Sequence, residues 1–376
     1  MTPYFITFGL SSMCCLYGEY YLHHKKKINA KILFGLAVLV AAVLAGVRDL
    51  DIGTDIWTYG EWSFRAARNN PDLISFVASQ ADLELLYNVL VWIVARFTSN
   101  SHWLYFFTSF ITCYFVMQGI RQYESQVSIT IAWLTFLFLY YGDTLNVMRQ
   151  FISVSIAFWG VKFAINKCYK KYLIITFVAT LFHNTAILSL LVLFVILFLD
   201  KKDSIQRRVI VVAGVLLAAV MYSQILEVFI DMGILSDKYE RYYSSEFALS
   251  LNPIILRLPF LAIIALWYRA YRKGETKTVK RWDRNSEADI IIILLIIDLL
   301  LSAMRGTLST LYRTAFIFGM YRTVAYSRIC SVLKKNNKLV VTTLLIVYLI
   351  VVWIYQNVIQ GNNEIFPYTS EILGIK

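Results

Sequence analysis

The stretch that decides the fold is KILFGLAVLVAAVLAGV, residues 31–47, in which Lys31 is the only charged residue. A helix of this length, at ~1.5 Å per residue, covers roughly 25 Å, close to the ~30 Å of a bilayer's hydrocarbon core. Three lysines at 25–27 precede the run, and Arg48 and Asp49 follow it. The stretch therefore predicts a membrane-spanning helix that ends in polar residues on both sides.

Similar runs follow one another along the whole chain. Hydrophobic residues make up 59% of the 376, charged residues 16%, and the mean hydropathy is +0.61. In lipid the backbone must satisfy its own hydrogen bonds, and continuous apolar runs do so as helices. The sequence thus predicts an all-α polytopic membrane protein in which residues 1–376 form a single transmembrane domain. The runs are 3–22, 31–47, 83–97, 103–119, 127–141, 150–166, 172–182, 185–199, 209–226, 254–269, 288–304, 311–326 and 339–357.

The positive charges lie in short connections, which predicts the topology. The formal net charge is +12, but a basic excess concentrated between apolar runs is typical of cytoplasmic loops and not of a nucleic-acid surface. Connections 48–82 and 227–253 are acidic by comparison and long enough to roof a site. We expect these two outside the cytoplasm. The basic stretches are 25–31, 121, 162–171, 201–208, 269–284 and 322–338.

One apolar run does not fit an alternating topology. Counting inward from each terminus gives a disagreement of one crossing between residues 48 and 121, and 83–97 is short and begins beside Asp82 and Glu84. We therefore predict about twelve crossings, both termini outside, and one re-entrant or half-depth helix at 83–97.

Polar residues gather at the predicted outer helix ends, where lipid disfavours them unless they are paired or hydrated. Asn146, Arg149 and Gln150 share one helix face because they are three and four residues apart. Arg149 needs an anion, either a structural partner such as Glu84 or Asp143 or the phosphate of a substrate. The outer set is Arg48, Asp49, Asp51, Gly53, Thr54, Asp55, Tyr59, Glu84, Asn146, Arg149, Gln150, His183, Asn184, Arg257, Arg305, Tyr312 and Arg313.

Three further features have alternative interpretations. His183 lies within an apolar stretch and is either a general base or a buried histidine bonded to a neighbour. Asp298 shares a helix face with Arg305 and is either the partner of that arginine, which we favour, or part of a proton relay, for which a single acid is poorly suited. Tyr239 and Tyr242 either stack on sugar rings or lie at the headgroup belt. No nucleotide-binding motif or metal-ligand spacing occurs, so we predict neither cofactor nor metal.

The order of these residues resembles the EpsG-like, Wzy-type polysaccharide polymerases. The resemblance spans most of the chain and consists of short motifs. They are Arg48 followed by Gly53-Thr54-Asp55 and Tyr59, Glu84, Asn146-x-x-Arg149-Gln150, Phe182-His183, Lys238-Tyr239 with Tyr242, and Tyr312-Arg313.

The resemblance implies a GT-C-like architecture and a glycosyltransferase of the bacterial inner membrane, active on the periplasmic side. Donor and acceptor would be oligosaccharide repeat units on undecaprenyl pyrophosphate, with membrane lipids and a chain-length regulator protein as further partners.

In this interpretation Arg149 and Arg313 hold the pyrophosphates, and His183 is the general base, with Asp55 as the alternative. The other motif residues would contact substrate. They are Arg48, Gly53, Thr54, Tyr59, Glu84, Asn146, Gln150, Tyr239, Tyr242, Arg257 and Arg305.

Three other functions would suit a cationic cavity in a membrane protein. A flippase for lipid-linked oligosaccharides would place its site near the midplane and show inverted repeats, and none is evident. A ligase shares the donor chemistry and differs only in its acceptor. A scaffold of an export complex would need no chemistry.

Overall fold

The computed structural model describes residues 1–80, 82–199, 205–231, 250–272, 285–304, 309–333 and 335–376, which are almost entirely helical. These ranges contain no β-strand, only one isolated bridge between Ser370 and Ile375. The α-helices are α1 (Thr2–His23), α2 (Lys27–Gly46), α3 (Trp62–Asn69), α4 (Leu73–Ser79), α5 (Leu85–Phe97), α6 (His102–Arg121), α7 (Ile129–Leu139), α8 (Tyr141–Asn146), α9 (Met148–Ile165), α10 (Tyr169–Thr180), α11 (Ser189–Leu199), α12 (Ile205–Asp231), α13 (Asn252–Arg272), α14 (Asn285–Ala303), α15 (Ser309–Gly319), α16 (Tyr321–Val332) and α17 (Lys335–Ile354). Shorter π-helical turns cover Ile56–Glu61 and Tyr355–Ile359, and 3₁₀ turns cover Asn184–Leu188 and Asn362–Glu364.

The helices match the predicted apolar runs. Within the described residues, three helical stretches are long and apolar enough to cross a membrane, and α2 and α6 are two of them. The third is Asn337–Ile359. Large apolar side chains on the outside of the bundle are exposed, as with Leu10 at 52%, which is expected where lipid is the solvent. The fold is that of a polytopic membrane protein.

Glycines allow neighbouring helices to approach closely. A methyl group on Gly119 of α6 would lie 2.5 Å from the Phe158 ring of α9, and one on Gly18 of α1 would lie 2.8 Å from the Phe34 ring of α2. Small residues at helix contacts are the usual basis of packing in membranes, where dispersion replaces the hydrophobic effect between helices.

The two termini meet at one end of the bundle. The Tyr4 hydroxyl donates to the carbonyl of Ile365 (2.8 Å), and the Tyr368 hydroxyl donates to the carbonyl of Leu44 (2.8 Å). The C-terminal tail, which we define as residues 361–375, therefore folds back over the end of α2. The termini lie on the same side of the bundle, as the predicted topology requires.

Helix α5 begins and ends at this same end of the bundle. At its start, the amide of Leu86 donates to the carbonyl of Leu181 at the end of α10 (2.9 Å). Beyond its end, Nδ1 of His102 lies 2.9 Å from the carbonyl oxygen of Gly46, the last residue of α2. The 13 residues of α5 cover only ~20 Å. This geometry agrees with a half-depth helix at 83–97.

We expect the connection after α5 to face outward. A membrane-impermeant maleimide added to intact spheroplasts should label Ser99→Cys. Native Cys168, exposed in the turn before α10, should react only after permeabilisation and serves as the inside control. Labelling of Ser99→Cys solely after permeabilisation would contradict a half-depth α5.

Candidate active site

The candidate residues come together at the end of the bundle where α9 begins. Four parts of the chain contribute to the site: the loop of residues 47–55 after α2, the start of α5, the first turn of α9 and the turn before the 3₁₀ helix Asn184–Leu188. The start of α15 is joined to them through Gln150, whose side-chain amide donates to the carbonyl of Arg313 (2.9 Å) and to Thr185 Oγ1 (3.3 Å).

Arg149 is the cation around which the site is built. Its Nη1 donates to Oε2 of Glu84, and the two side chains are only 10% and 9% exposed. The Tyr59 ring lies over the guanidinium, 4.1 Å from its carbon to the ring centroid. The structural partner that we predicted as one alternative is therefore present.

The ion pair leaves donors of Arg149 available. A guanidinium has five N–H donors, and within the described chain Nε of Arg149 is buried with no hydrogen-bond partner. Oε1 of Glu84 meanwhile accepts from the amide of Asn184 (3.3 Å). Glu84 thus holds Arg149 in place without occupying the whole guanidinium edge.

Asp55 is a carboxylate with raised basicity. Burial raises its pKa to about 6, and the positive charges of Arg149, Arg313 and Arg48 lower it in part. All three arginines therefore lie close enough to act electrostatically on one carboxylate. A pKa near neutrality suits a general base, which must be ionised at working pH yet able to take a proton.

The ring of His183 accepts a hydrogen bond at one nitrogen and keeps an N–H donor at the other. Its Nδ1 accepts from the amide of Thr185 (3.3 Å) and lies 2.8 Å from Thr185 Oγ1. Burial lowers the pKa of His183 to about 4; Glu84 opposes the shift, and Arg149 and Arg313 add to it. An imidazole that is neutral and accepts at Nδ1 carries its proton on Nε2, a tautomer we assign from these bonds.

The Gly-Thr-Asp motif forms a tight turn held from two sides. Gly53 has a φ of +93°, which only glycine adopts readily, and its amide donates to the carbonyl of Glu364 in the C-terminal tail (3.2 Å). Asn146 Oδ1 accepts from Thr54 Oγ1 (2.6 Å) and from the amide of Asp55 (3.4 Å). This turn holds the backbone of Asp55 against the end of α8.

Arg48 lies beneath the turn, without direct access to the site. The residue is 1% exposed, its Nη2 contacts Sδ of Met148 (3.4 Å), and its carbon lies 5.5 Å from the centroid of the Tyr105 ring. We interpret Arg48 as a buried positive charge that acts on Asp55 from below.

Arg257 lies in a neighbouring cavity instead of beside Arg149. Its Nε and Nη2 donate to Asp298 at 3.0 and 3.3 Å, and Arg322 Nε lies 3.3 Å from the same carboxylate. In the described chain, Asp298 is therefore paired with Arg257 and Arg322. Its expected partner, Arg305, lies outside the described residues.

The structure brings most of the predicted residues together. Arg149 and Arg313 act electrostatically on both Asp55 and His183, whereas Arg257 lies apart. Tyr239 and Tyr242, like Arg305, lie outside the described residues.

Sequence reasoning missed two contributors. The C-terminal tail supports the turn, and its Asn363 Nδ2 donates to Asp143 Oδ1 (3.0 Å). Arg322 is the second partner of Asp298. Two signals could have revealed these contributors: the run of Asn and Gln residues at 356–363, and an arginine inside an apolar helix. Across the described ranges, no three His, Cys, Asp or Glu side chains are placed to hold a metal ion.

Comparison with known proteins identifies the family of this chain. The family model described as the EpsG family matches residues 31–370. The chain belongs to the EpsG family. No curated protein and no solved structure matches it. Membership indicates a polysaccharide polymerase-type membrane protein with glycosyltransferase-like activity, and the EpsG match includes every site residue described above.

The turn at Gly53 provides a stability test. A methyl group at this position would lie 2.7 Å from the carbonyl oxygen of Leu145, in addition to the cost of a positive φ. We expect Gly53→Ala to destabilise the protein by about 1–3 kcal/mol, measured as a lower unfolding midpoint by tryptophan fluorescence. Gly35→Ala is the control because no atom lies within 4 Å of its new methyl group. Equal midpoints for the two variants would contradict the strained turn.

Proposed function

We propose that this protein joins oligosaccharide repeat units carried on undecaprenyl pyrophosphate, at the outer face of the bacterial inner membrane. We further propose a GT-C-like bundle of about twelve crossings with both termini outside. The growing glycan on its lipid pyrophosphate is the donor, and the next lipid-linked unit is the acceptor.

The observation that carries this proposal is one basic carboxylate surrounded by guanidinium groups at the end of a membrane bundle. Arg149 and Arg313 act electrostatically on both Asp55 and His183. Glycosyl transfer from a lipid pyrophosphate needs a base for the attacking hydroxyl and cations for the leaving group. The site offers both within one group of side chains.

The reaction would proceed as follows. The hydroxyl oxygen of the acceptor sugar attacks the anomeric carbon of the donor, and its proton passes to the Asp55 carboxylate. The bond from the anomeric carbon to the pyrophosphate oxygen breaks, and the electron pair leaves with the pyrophosphate. Arg149 and Arg313 stabilise the charge that develops there, since a planar guanidinium matches phosphate oxygens.

Asp55 suits the role of base better than His183. Nδ1 of His183 is already an acceptor for Thr185, so Nε2 carries a proton and offers a donor to a substrate oxygen. Asp55 has the more useful pKa and no such commitment. We therefore assign proton abstraction to Asp55 and substrate positioning to His183.

Replacing Arg149 tests the cationic part of this assignment. We expect Arg149→Lys, which keeps the charge beside Glu84 and loses the planar fork, to reduce polymer formation by about 100-fold. The measurement is the amount and length of polymer formed after reconstitution with lipid-linked repeat units. Arg65→Lys is the control because the Arg65 side chain is 61% exposed.

The product identifies the reaction class. Full-length polymer from Arg149→Lys would refute the assigned role of Arg149. Transfer of finished polymer to a different acceptor would indicate a ligase. Movement of intact lipid-linked units between leaflets, with no new glycosidic bond, would indicate a flippase.

The pH dependence tests the choice of base. Asp55 has a pKa near 6 in the folded protein, so its carboxylate is protonated as the pH falls below that value. We expect kcat/KM to decrease tenfold per pH unit below about pH 6 and to level off above it. His183→Gln should keep this acid limb at a lower overall rate. Loss of the limb in His183→Gln would assign the base to histidine.

A further inference from the structure

A cavity of about 550 Å³ adjoins the active site and takes no part in the mechanism above. Its volume falls within the range of roughly 300–1,000 Å³ that is typical of small-molecule sites. It opens among α8, α13, α14, α16 and the chain that follows α17. Seven amide side chains line it, among them Asn252, Gln356 and Gln360.

The floor of the cavity is a buried ionic cluster. Asp298 is paired with Arg257 and Arg322, and Arg257 Nη2 also donates to Ser302 Oγ (2.8 Å). Arg322 is 8% exposed, and its Nε lies 3.3 Å from Oδ2 of Asp298. Two guanidinium groups thus share one carboxylate at the floor of the cavity.

The charges of the lining cancel. Arg257 and Arg322 are balanced by Asp298 and by Asp143, whose Oδ1 accepts from Asn363 Nδ2. A pyrophosphate would gain little here compared with the arginine-rich group around Asp55. An alkyl chain would leave the amides without partners, at a cost of about 1–3 kcal/mol for each buried polar group.

Amide side chains match sugar hydroxyls in particular. Each amide both donates and accepts hydrogen bonds, and so does each hydroxyl. Apolar side chains such as Phe138 and Phe316 lie between the polar ones in the lining. This combination, together with a neutral overall charge, favours uncharged sugar units over anions or lipid.

Asn146 connects the cavity to the active site. It lines the cavity, while its Oδ1 accepts from Thr54 and from the amide of Asp55, and its Nδ2 donates to Asn363 (3.4 Å). A sugar chain in the cavity would therefore begin next to the Asp55 carboxylate, the base for the reaction that forms the new glycosidic bond.

We propose that this amide-lined cavity binds the uncharged sugar units next to the reacting bond and selects which repeat unit is polymerised. The proposal rests on the proposed function and adds the residues that bind the sugars of the glycan and distinguish one repeat unit from another. The sugars belong to either the donor or the acceptor, which share this chemistry.

Direct binding tests the cavity separately from catalysis. The probe is the free repeat-unit oligosaccharide, released from its lipid pyrophosphate by mild acid and added to the full-length protein in nanodiscs. Saturation-transfer NMR gives its Kd. We expect the double variant Asn252→Leu, Gln356→Met, which keeps side-chain volume, to bind about tenfold or more weakly.

Two control variants show whether the loss of sugar affinity arises in the cavity. Asn69→Leu changes an exposed amide at the end of α3, far from the lining, and should bind as the wild type does. Arg149→Lys should keep the affinity for the free sugar even though it loses polymerisation. Equal Kd values for wild type and double variant, or no binding to the wild type, would overturn the inference.

The two proposals can fail separately. A wild type that polymerises lipid-linked units while the double variant retains both sugar affinity and choice of repeat unit overturns only the cavity proposal. A wild type that binds the free unit through these amides but forms no glycosidic bond overturns the proposed reaction. Competition by an excess of single lipid-linked units or of elongated chains then shows whether acceptor or donor sugars occupy the cavity.

Discussion

The buried ion pair between Arg149 and Glu84 is the contact on which the rest of the site depends. Taking a guanidinium out of water costs several kcal/mol, and the Arg149 side chain is only 10% exposed. Glu84 supplies the opposite charge from the start of α5, and Tyr59 covers the face of the guanidinium. Because Glu84 immediately precedes α5, the pair also joins the start of this helix to α9. Arg149, the cation that would suit pyrophosphate chemistry, therefore also links α9 to the start of α5.

A second constraint concerns the turn that carries Asp55. The positive φ at Gly53 cannot be maintained by local sequence alone, so the turn is held by Asn146 on one side and by the C-terminal tail on the other. The last segment of the chain thus shapes a loop more than 300 residues earlier, as the bond between Gly53 and Glu364 shows. Burial beneath this arrangement raises the pKa of Asp55, so the same packing that orders the carboxylate makes it basic.

Hydropathy was sufficient to predict the helices, because an apolar run in lipid has few alternatives to helix. The half-depth placement of 83–97 stays a prediction, and the structure shows there a helix of 13 residues, Leu85–Phe97. Residue spacing predicted one helix face for Asn146, Arg149 and Gln150, and this was wrong in detail. Asn146 is the last residue of α8, whereas Arg149 and Gln150 belong to α9, and the non-helical backbone at Val147 separates the two helices. Pairings between distant helices could not be obtained this way. Asp298 is bound by Arg257 and Arg322, and nothing in their spacing distinguishes these partners from Arg305. Residue type alone could not assign a role to His183 either. The hydrogen bond from the Thr185 amide to Nδ1 decides which ring nitrogen carries the proton.

The separation of the arginines into two groups has a functional logic. A glycan polymerase must hold a highly charged leaving group and a chain of neutral sugars at once, and one strongly cationic cavity would suit only the first. Here Arg149 and Arg313 keep their effect near Asp55, while Arg257 and Arg322 are neutralised by Asp298 in a cavity rich in amides. Asn146 lies on the boundary and bonds to both sides. Under the proposed function, the acid partner of each arginine, more than the arginine itself, therefore determines which part of a lipid-linked glycan each region would bind.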